Sequence, residues 1–411
     1  MSKEDSRSIA AASIIILLAL TLVGCGGSSS QNSTPPPPPP ASEFLYATAQ
    51  NAILGFTVDP AMGTLSNPTS TPGPSYTYNG TVTPSYGIAG LPKLGLLYVS
   101  DPQNNQVDGF AVNNSTGALA PLSGSPFALP PGGLLSRPWG MAADPAGKFL
   151  YVSNSTPVLN GYSGGTDALA IDGTSGALTV VPGSPFLDAD SGFVTIDPSG
   201  KFLYAIAYTG LFGGITADRV DSGTGIPTPV PGSPFQLPVG ISCSLYPCNP
   251  ISVAEDSTGR FLLVMAYDGF QIFQTVWTLS IDADSGALTA VGSSRQFGEG
   301  TAGLADFAIA TSGTFVYVSV PSGLNDTEGV YALSLAPATG VLTEINGSPF
   351  LPGTASGGLA VTADGKFLYQ ASASTNTISV FAIDPTTGAL SPVGKPVLAG
   401  TGPLILTLYK P

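Results

Sequence analysis

The chain has 411 residues, 43% of them hydrophobic and only 9% charged, with 52 glycines and 39 prolines. A formal net charge of −14 repels phosphate backbones and argues against nucleic acid as a partner. Histidine is absent, which removes the commonest metal ligand and the usual general base of serine and cysteine hydrolases.

Residues 1–24 read as an export signal: Lys3 and Arg7 near the start, an apolar run from Ile9 to Thr21, then small residues. The run is too short, and ends wrongly, for a membrane span. Its ending, Leu22-Val23-Gly24-Cys25, resembles the lipobox of bacterial lipoproteins. That resemblance implies cleavage before Cys25, acylation of its thiol and attachment to the membrane through a lipid anchor; a plain signal peptide with an incidental cysteine is the alternative. Gly26 resembles the pattern of lipoproteins sent to the outer membrane, which places the protein in the cell envelope, facing the periplasm or the surface. Residues 25–42 form a tether in which Gly and Ser give flexibility. Pro35 to Pro40 add a polyproline II spacer of about 19 Å, at about 3.1 Å per residue.

From residue 43 to 411 a unit recurs seven times. Each copy opens on a triplet: Phe44-Leu45-Tyr46, Leu96-Leu97-Tyr98, Phe149-Leu150-Tyr151, Phe202-Leu203-Tyr204, Phe261-Leu262-Leu263, Phe315-Val316-Tyr317 and Phe367-Leu368-Tyr369. A turn ending in Gly-x-Leu or a close variant follows each, from Gly63-Thr64-Leu65 to Gly388-Ala389-Leu390. Strand patterns within this period predict an all-β fold, a seven-bladed β-propeller of four-stranded antiparallel blades. The first copy lacks an inner strand, and Pro403 to Tyr409 is an unmatched apolar segment at the other end. That segment is expected to supply the missing strand and close the ring, leaving no unpaired seam. Nothing in the pattern demands an oligomer, so a monomer is expected.

Within a copy, the turns between strands one and two and between strands three and four keep a constant length. The connections between strands two and three, and those into each inner strand, vary and share one face of the disc, where a binding surface is expected. Arg137 and Trp139, just before an inner strand, offer a cation and a stacking surface; Trp139 alternatively caps the apolar channel. Tyr208, Tyr267 and Asp268 follow second strands, and Asp306 precedes an inner one. Asp188-Ala189-Asp190 resembles half a calcium loop without the ligand number calcium needs. Cys243 and Cys248 are expected to form a small-loop disulfide in an oxidising exported setting, two thiols being too few for zinc. No metal or other cofactor is implied.

Pro145-Ala146-Gly147-Lys148-Phe149-Leu150-Tyr151-Val152-Ser153-Asn154 resembles the strand-turn-strand repeat of the seven-bladed lactonase-like propellers, which include 6-phosphogluconolactonases and carboxymuconate cyclases. It is equally similar to surface propellers built from Tyr-Val-Thr-Asn repeats. The enzymes of the lactonase-like family carry an Arg-His pair before an inner strand, a Glu in Asn-Glu-Leu and an Arg in Asn-Arg after second strands. Here those places read Tyr86-Gly87, Trp139-Gly140, Asp101-Pro102 and Asn154-Ser155 among others, and none of the three elements is found. The expectation is therefore a non-catalytic, membrane-tethered module that binds a small molecule or a protein. A divergent lactone hydrolase or cycloisomerase is the alternative, with Asp268, Asp306 or Glu255 as base and Arg137 as electrostatic partner.

Overall fold

The computed structural model describes residues 43–78, 80–130, 137–155, 165–186, 192–209, 212–237, 249–267, 274–297, 309–320, 328–350 and 357–411. Almost all of this is strand, arranged as seven antiparallel sheets. Among the described residues the one helical turn is the 3-10 segment Pro92–Leu94.

Blade 3 shows the pattern: inner strand Arg137–Ala143, then Phe149–Ser155, Gly165–Ile171 and the outer Leu178–Val180, hydrogen-bonded in that order. Blade 7 repeats it with Leu359–Val361, Phe367–Ser372, Thr377–Ile383 and Leu390–Pro392. Blade 1 differs where the sequence said it would. Leu406–Tyr409, from the far end of the chain, pairs antiparallel with Glu43–Ala49 and serves as its inner strand. Thr48 N donates to Ile405 O at 3.0 Å and extends that seam.

Each second strand is a continuous apolar run because it is covered on both faces; all seven residues of Glu43–Ala49 are buried. The buried side chains form seven clusters, and every cluster straddles two blades. Phe44, Tyr46 and Ile53 of blade 1 pack on Leu97, Val99 and Phe110 of blade 2. The circle ends where Phe367, Tyr369 and Ile378 of blade 7 meet Leu45, Ala47 and Phe56 of blade 1. No blade has a core of its own, so burial of apolar area requires the ring.

The two sequence markers meet across every one of these seams. The triplet tyrosine donates from its hydroxyl to the carbonyl of the next blade's turn glycine: Tyr46 to Gly117 at 2.8 Å, Tyr98 to Gly176 at 2.7 Å, and Tyr151 to Gly225 at 3.1 Å. Tyr369 of blade 7 closes the set by donating to Gly63 of blade 1 at 2.8 Å. The first residue of the triplet lies against the same glycine, so a Cβ on Gly286 would stand 2.3 Å from the Phe202 ring.

Two features were not anticipated. A two-stranded hairpin, Ser75–Tyr78 with Thr81–Pro84, interrupts the connection from blade 1 to blade 2. A Gly-Ser-Pro-Phe turn ends the outer strand of blades 2, 3, 4 and 6 and folds a short piece back onto the third strand, as Phe127–Ala128 does on Gln106 and Val107.

Candidate functional site

Arg137 and Trp139 lie inside an inner strand, where the sequence reading placed them just before one. The register of blade 3 shifts between Pro138 and Met141, so Trp139 and Gly140 together oppose a single residue. Such a bulge re-aims a side chain. Trp139 lies flat on Tyr86, ring centroids 3.8 Å apart and planes 8° from parallel. The Arg137 guanidinium sits 4.3 Å from the centre of the Tyr76 ring. Tyr76 comes from the unanticipated hairpin, Tyr86 from the approach to blade 2's inner strand, and both rings are buried. Tyr86-Gly87 and Trp139-Gly140 occupy the same place in successive repeats, a signal that pairs the two rings in advance.

A hydroxyl ladder holds this corner. On blades 1 to 3 the residue two after the triplet tyrosine is Thr48, Ser100 and Ser153, all buried. Each accepts from its own inner strand and donates to the next blade's. Ile405 N donates to Thr48 Oγ1 (3.2 Å), which donates to Ser85 O (2.9 Å). Gly87 N donates to Ser100 Oγ (3.1 Å), which donates to Trp139 O (3.1 Å). Gly140 N donates to Ser153 Oγ (2.9 Å), which donates to Gly192 O. A Cβ on Gly87 would approach Trp139 O to 2.3 Å, so this close passage of two inner strands needs glycine. The hairpin is tied down by Gln50, whose Nε2 donates to Val82 O at 2.7 Å.

Among the described residues no carboxylate lies within ion-pair distance of Arg137, and partial burial lowers its pKa with no acid opposing that shift. A half-buried guanidinium with no carboxylate near it among the described residues can accept an anion.

The other sequence candidates divide. Tyr208 and Tyr267 are placed by backbone only, at the ends of the second strands Phe202–Thr209 and Phe261–Tyr267. Asp268, Asp306, Asp188, Asp190, Cys243, Cys248, Cys25 and the leader and tether lie outside the described residues. Glu255 is at the wrong end for the role considered for it. It closes the inner strand Asn249–Glu255, whereas Arg137 opens its own, so the two lie at opposite faces of the disc. Inner strands of seven residues separate those faces by about 20 Å at about 3.3 Å per residue. Glu255 and Arg137 cannot act on one substrate atom.

Two further carboxyls, Asp108 and Asp167, escaped the sequence reading, and like Glu255 they are held above their ordinary pKa. Burial, with Asp101 nearby, raises the Asp108 pKa to about 6. Burial raises Asp167 to about 6 despite the 2.8 Å bond from Asn154 Nδ2. Burial, then Asp197 and Asp256, raises Glu255 to about 8, and neither of its oxygens has a hydrogen-bond partner. A residue's depth inside a sheet, which sets these values, has no signature in a single sequence.

Comparison with known proteins agrees with the architecture. The model of the family described as "Lactonase, 7-bladed beta-propeller" matches residues 273–406. Among curated proteins none matches the chain. A Bacteroides uniformis protein, provisionally a 6-phosphogluconolactonase, superposes with a TM-score of 0.67 at 16% identity, covering 90% of this chain and 100% of its own. The Pseudomonas aeruginosa periplasmic gluconolactonase gives 0.61 at 16% identity, covering 90% and 99%. A Lactobacillus plantarum protein gives 0.56 at 18%, covering 90% and 100%. At such identities the likeness shows the fold alone. The chain is a seven-bladed β-propeller, and its residues 273–406 are similar to the lactonase propellers.

Proposed function

We propose that this propeller is a ligand-binding module of the cell envelope, and that its loop face takes an organic anion with a flat apolar part. The observation that carries the reading is Arg137 over Tyr76, with no carboxylate partner among the described residues, beside the stacked Trp139 and Tyr86. The cation fixes the charged end of a ligand, and the aromatic corner offers apolar surface to the rest. A panel of aromatic and sugar acids, titrated against the full chain by tryptophan fluorescence, tests it. Saturable quenching that Arg137→Ala removes is the expected outcome; binding indifferent to Arg137 refutes it.

A lactonase is the second reading, favoured by the family match over 273–406 and by the likeness to the Pseudomonas gluconolactonase. Against it stands a chain without histidine. Turnover of any sugar or aromatic lactone by the purified protein, lost in Arg137→Ala, would decide for the enzyme.

The envelope location rests on Leu22-Val23-Gly24-Cys25 behind an apolar run, and a periplasmic protein of the same fold agrees with it. Radiolabelled palmitate should enter the native chain and not Cys25→Ala, which should leave the membrane fraction.

A further inference from the structure

On the face of the disc opposite Arg137, the turns between inner and second strands follow one pattern. In blades 3, 4, 5 and 7 the residue five before the triplet's phenylalanine caps the turn: Asp144, Asp197, Asp256 and Thr362. Asp256 Oδ1 accepts from Arg260 N at 2.8 Å and Phe261 N at 2.7 Å, and Asp197 and Thr362 hold their own turns alike. The bond that closes the turn, such as Asp144 N to Phe149 O at 2.9 Å, leaves residues 145–148 in the loop. Each of these loops ends on a cation: Lys148, Lys201, Arg260 or Lys366.

Blade 6 departs from the pattern. Its residue at the capping place is Ala310, which has no side-chain oxygen to offer. Its strands stay paired as far as Ser312 and Phe315, so the loop shrinks to Gly313 and Thr314. Gly313 has a φ of 58°, as a two-residue hairpin loop with glycine first requires. Thr314 stands where the other loops carry their cation. The outer turn, Ala336 to Gly340, has no aspartate either, so neither turn of blade 6 on this face is charged.

The shortened loop leaves a recess of about 580 Å³ between the turns of blades 5 and 7. Small-molecule sites span about 300–1,000 Å³. Ser257 of blade 5 and Ser312 and Thr314 of blade 6 line it, and among the described residues none of their hydroxyls has a hydrogen-bond partner. Ser312 Oγ lies in the seam with blade 7, where a Cβ on Gly365 would stand 2.7 Å from it. Phe315 and Pro385 add apolar wall. The acid in the lining, Asp364, is already paired with Lys366 Nζ at 2.8 Å.

No unpaired charge in this lining answers an ion, and an apolar ligand would leave the hydroxyls without partners. We propose that the recess over blade 6 binds an uncharged, polyhydroxylated ligand, a neutral saccharide. Its hydroxyls pair with Ser257, Ser312 and Thr314, each able to donate and accept, and its C–H face lies on Phe315 and Pro385. The site is on the other face of the disc from the Arg137 corner and does not rest on it.

Maltotriose, cellotriose, mannotriose and N-acetylchitotriose are the probes, each titrated into the full chain and followed by saturation-transfer NMR. Expected is saturable binding of at least one of them that weakens about three- to tenfold in Ser312→Ala. Thr314→Lys, which sets the other blades' cation in the recess, should weaken it at least about tenfold. Thr314 is exposed, so its replacement should leave the melting curve unchanged, and Ser312→Ala gives a second reading that adds no bulk. Tri-galacturonic acid is the charged comparison, and any binding it shows should be indifferent to Ser312→Ala. The proposal is overturned if none of the four neutral sugars binds, or if their binding ignores both substitutions. It is overturned equally if Ser312→Ala weakens the acidic trisaccharide as much as the neutral ones.

Discussion

A tyrosine hydroxyl reaching a glycine carbonyl is the smallest unit of this ring, repeated at six of the seven seams, with Leu263 standing in blade 5 where the hydroxyl would be. Burial raises the pKa of each of these tyrosines well above its usual value, so the hydroxyl stays a donor at any physiological pH. Tyr151→Phe keeps the ring and leaves Gly225 O without its partner. It should cost about 1–2 kcal/mol, read as a lower denaturant midpoint at unchanged slope. Glu255 is the opposite case, a largely buried acid with no hydrogen-bond partner among the described residues and two carboxylates close by. Its folded pKa, about 8, lies far above the 4.5 of an unperturbed glutamate. The native state thus holds the proton more tightly than the unfolded chain, and stability falls as pH rises from 4.5 to about 8. The loss amounts to at most about 5 kcal/mol. Glu255→Gln should abolish that part of the decline, so denaturant melts of the two proteins should diverge progressively across this window. Asp108 and Asp167 act in the same direction only up to about pH 6.

At the scale of the element, the turn between third and outer strands is built alike in most blades. Asp172 Oδ1 accepts from Thr174 N and Ser175 N, and Asp221, Asp282 and Asp384 do the same. Those bonds hold the four carboxyls below the ordinary aspartate range. Blade 6 has Ala336 at this place, with Gly340 N already bonded to Ala336 O at 2.8 Å. Ala336→Asp should raise the melting temperature at neutral pH. The gain should vanish in acid, because a depressed carboxyl pKa stabilises above the unfolded value and is lost as the group protonates. The closing strand Leu406–Tyr409 is the element on which the most depends. Removing residues 403–411 strips the inner edge of Glu43–Ala49 and Tyr409 from the seam with blade 2. The truncated chain should lose cooperative melting altogether; an unaltered melting curve would refute the closure. Most elements were legible as elements: triplet, turn and alternation mark the strands of blade 7 to within a residue or two. The hairpin Ser75–Pro84 was missed although Ser75-Tyr76-Thr77-Tyr78 alternates polar with aromatic residues and Asn79-Gly80 is a hairpin-turn signal; it stands in a connection between copies, where the repeat gives no guide. The fold-back after Gly-Ser-Pro-Phe was missed although the motif stands four times in plain view.

For the whole molecule, chain order and space are linked only through the ring. The number of sectors, their antiparallel order and the latch at the end follow from a repeat that cannot cover its own two apolar faces; that is a local property, multiplied, and it is written in composition and period. The Arg137 corner is different. Its rings come from residues 76, 86 and 139, in two blades and a hairpin between them, and a bulge at Pro138–Met141 brings Trp139 onto Tyr86. The separation of Glu255 from Arg137 and the burial that raises Asp167 are likewise matters of depth and direction. Periodicity reports which side chains need cover, because hydrophobic burial is non-directional and scales with area. Distances between groups far apart in the chain arise from how the covered sheets stack, and they exist only once the circle is shut.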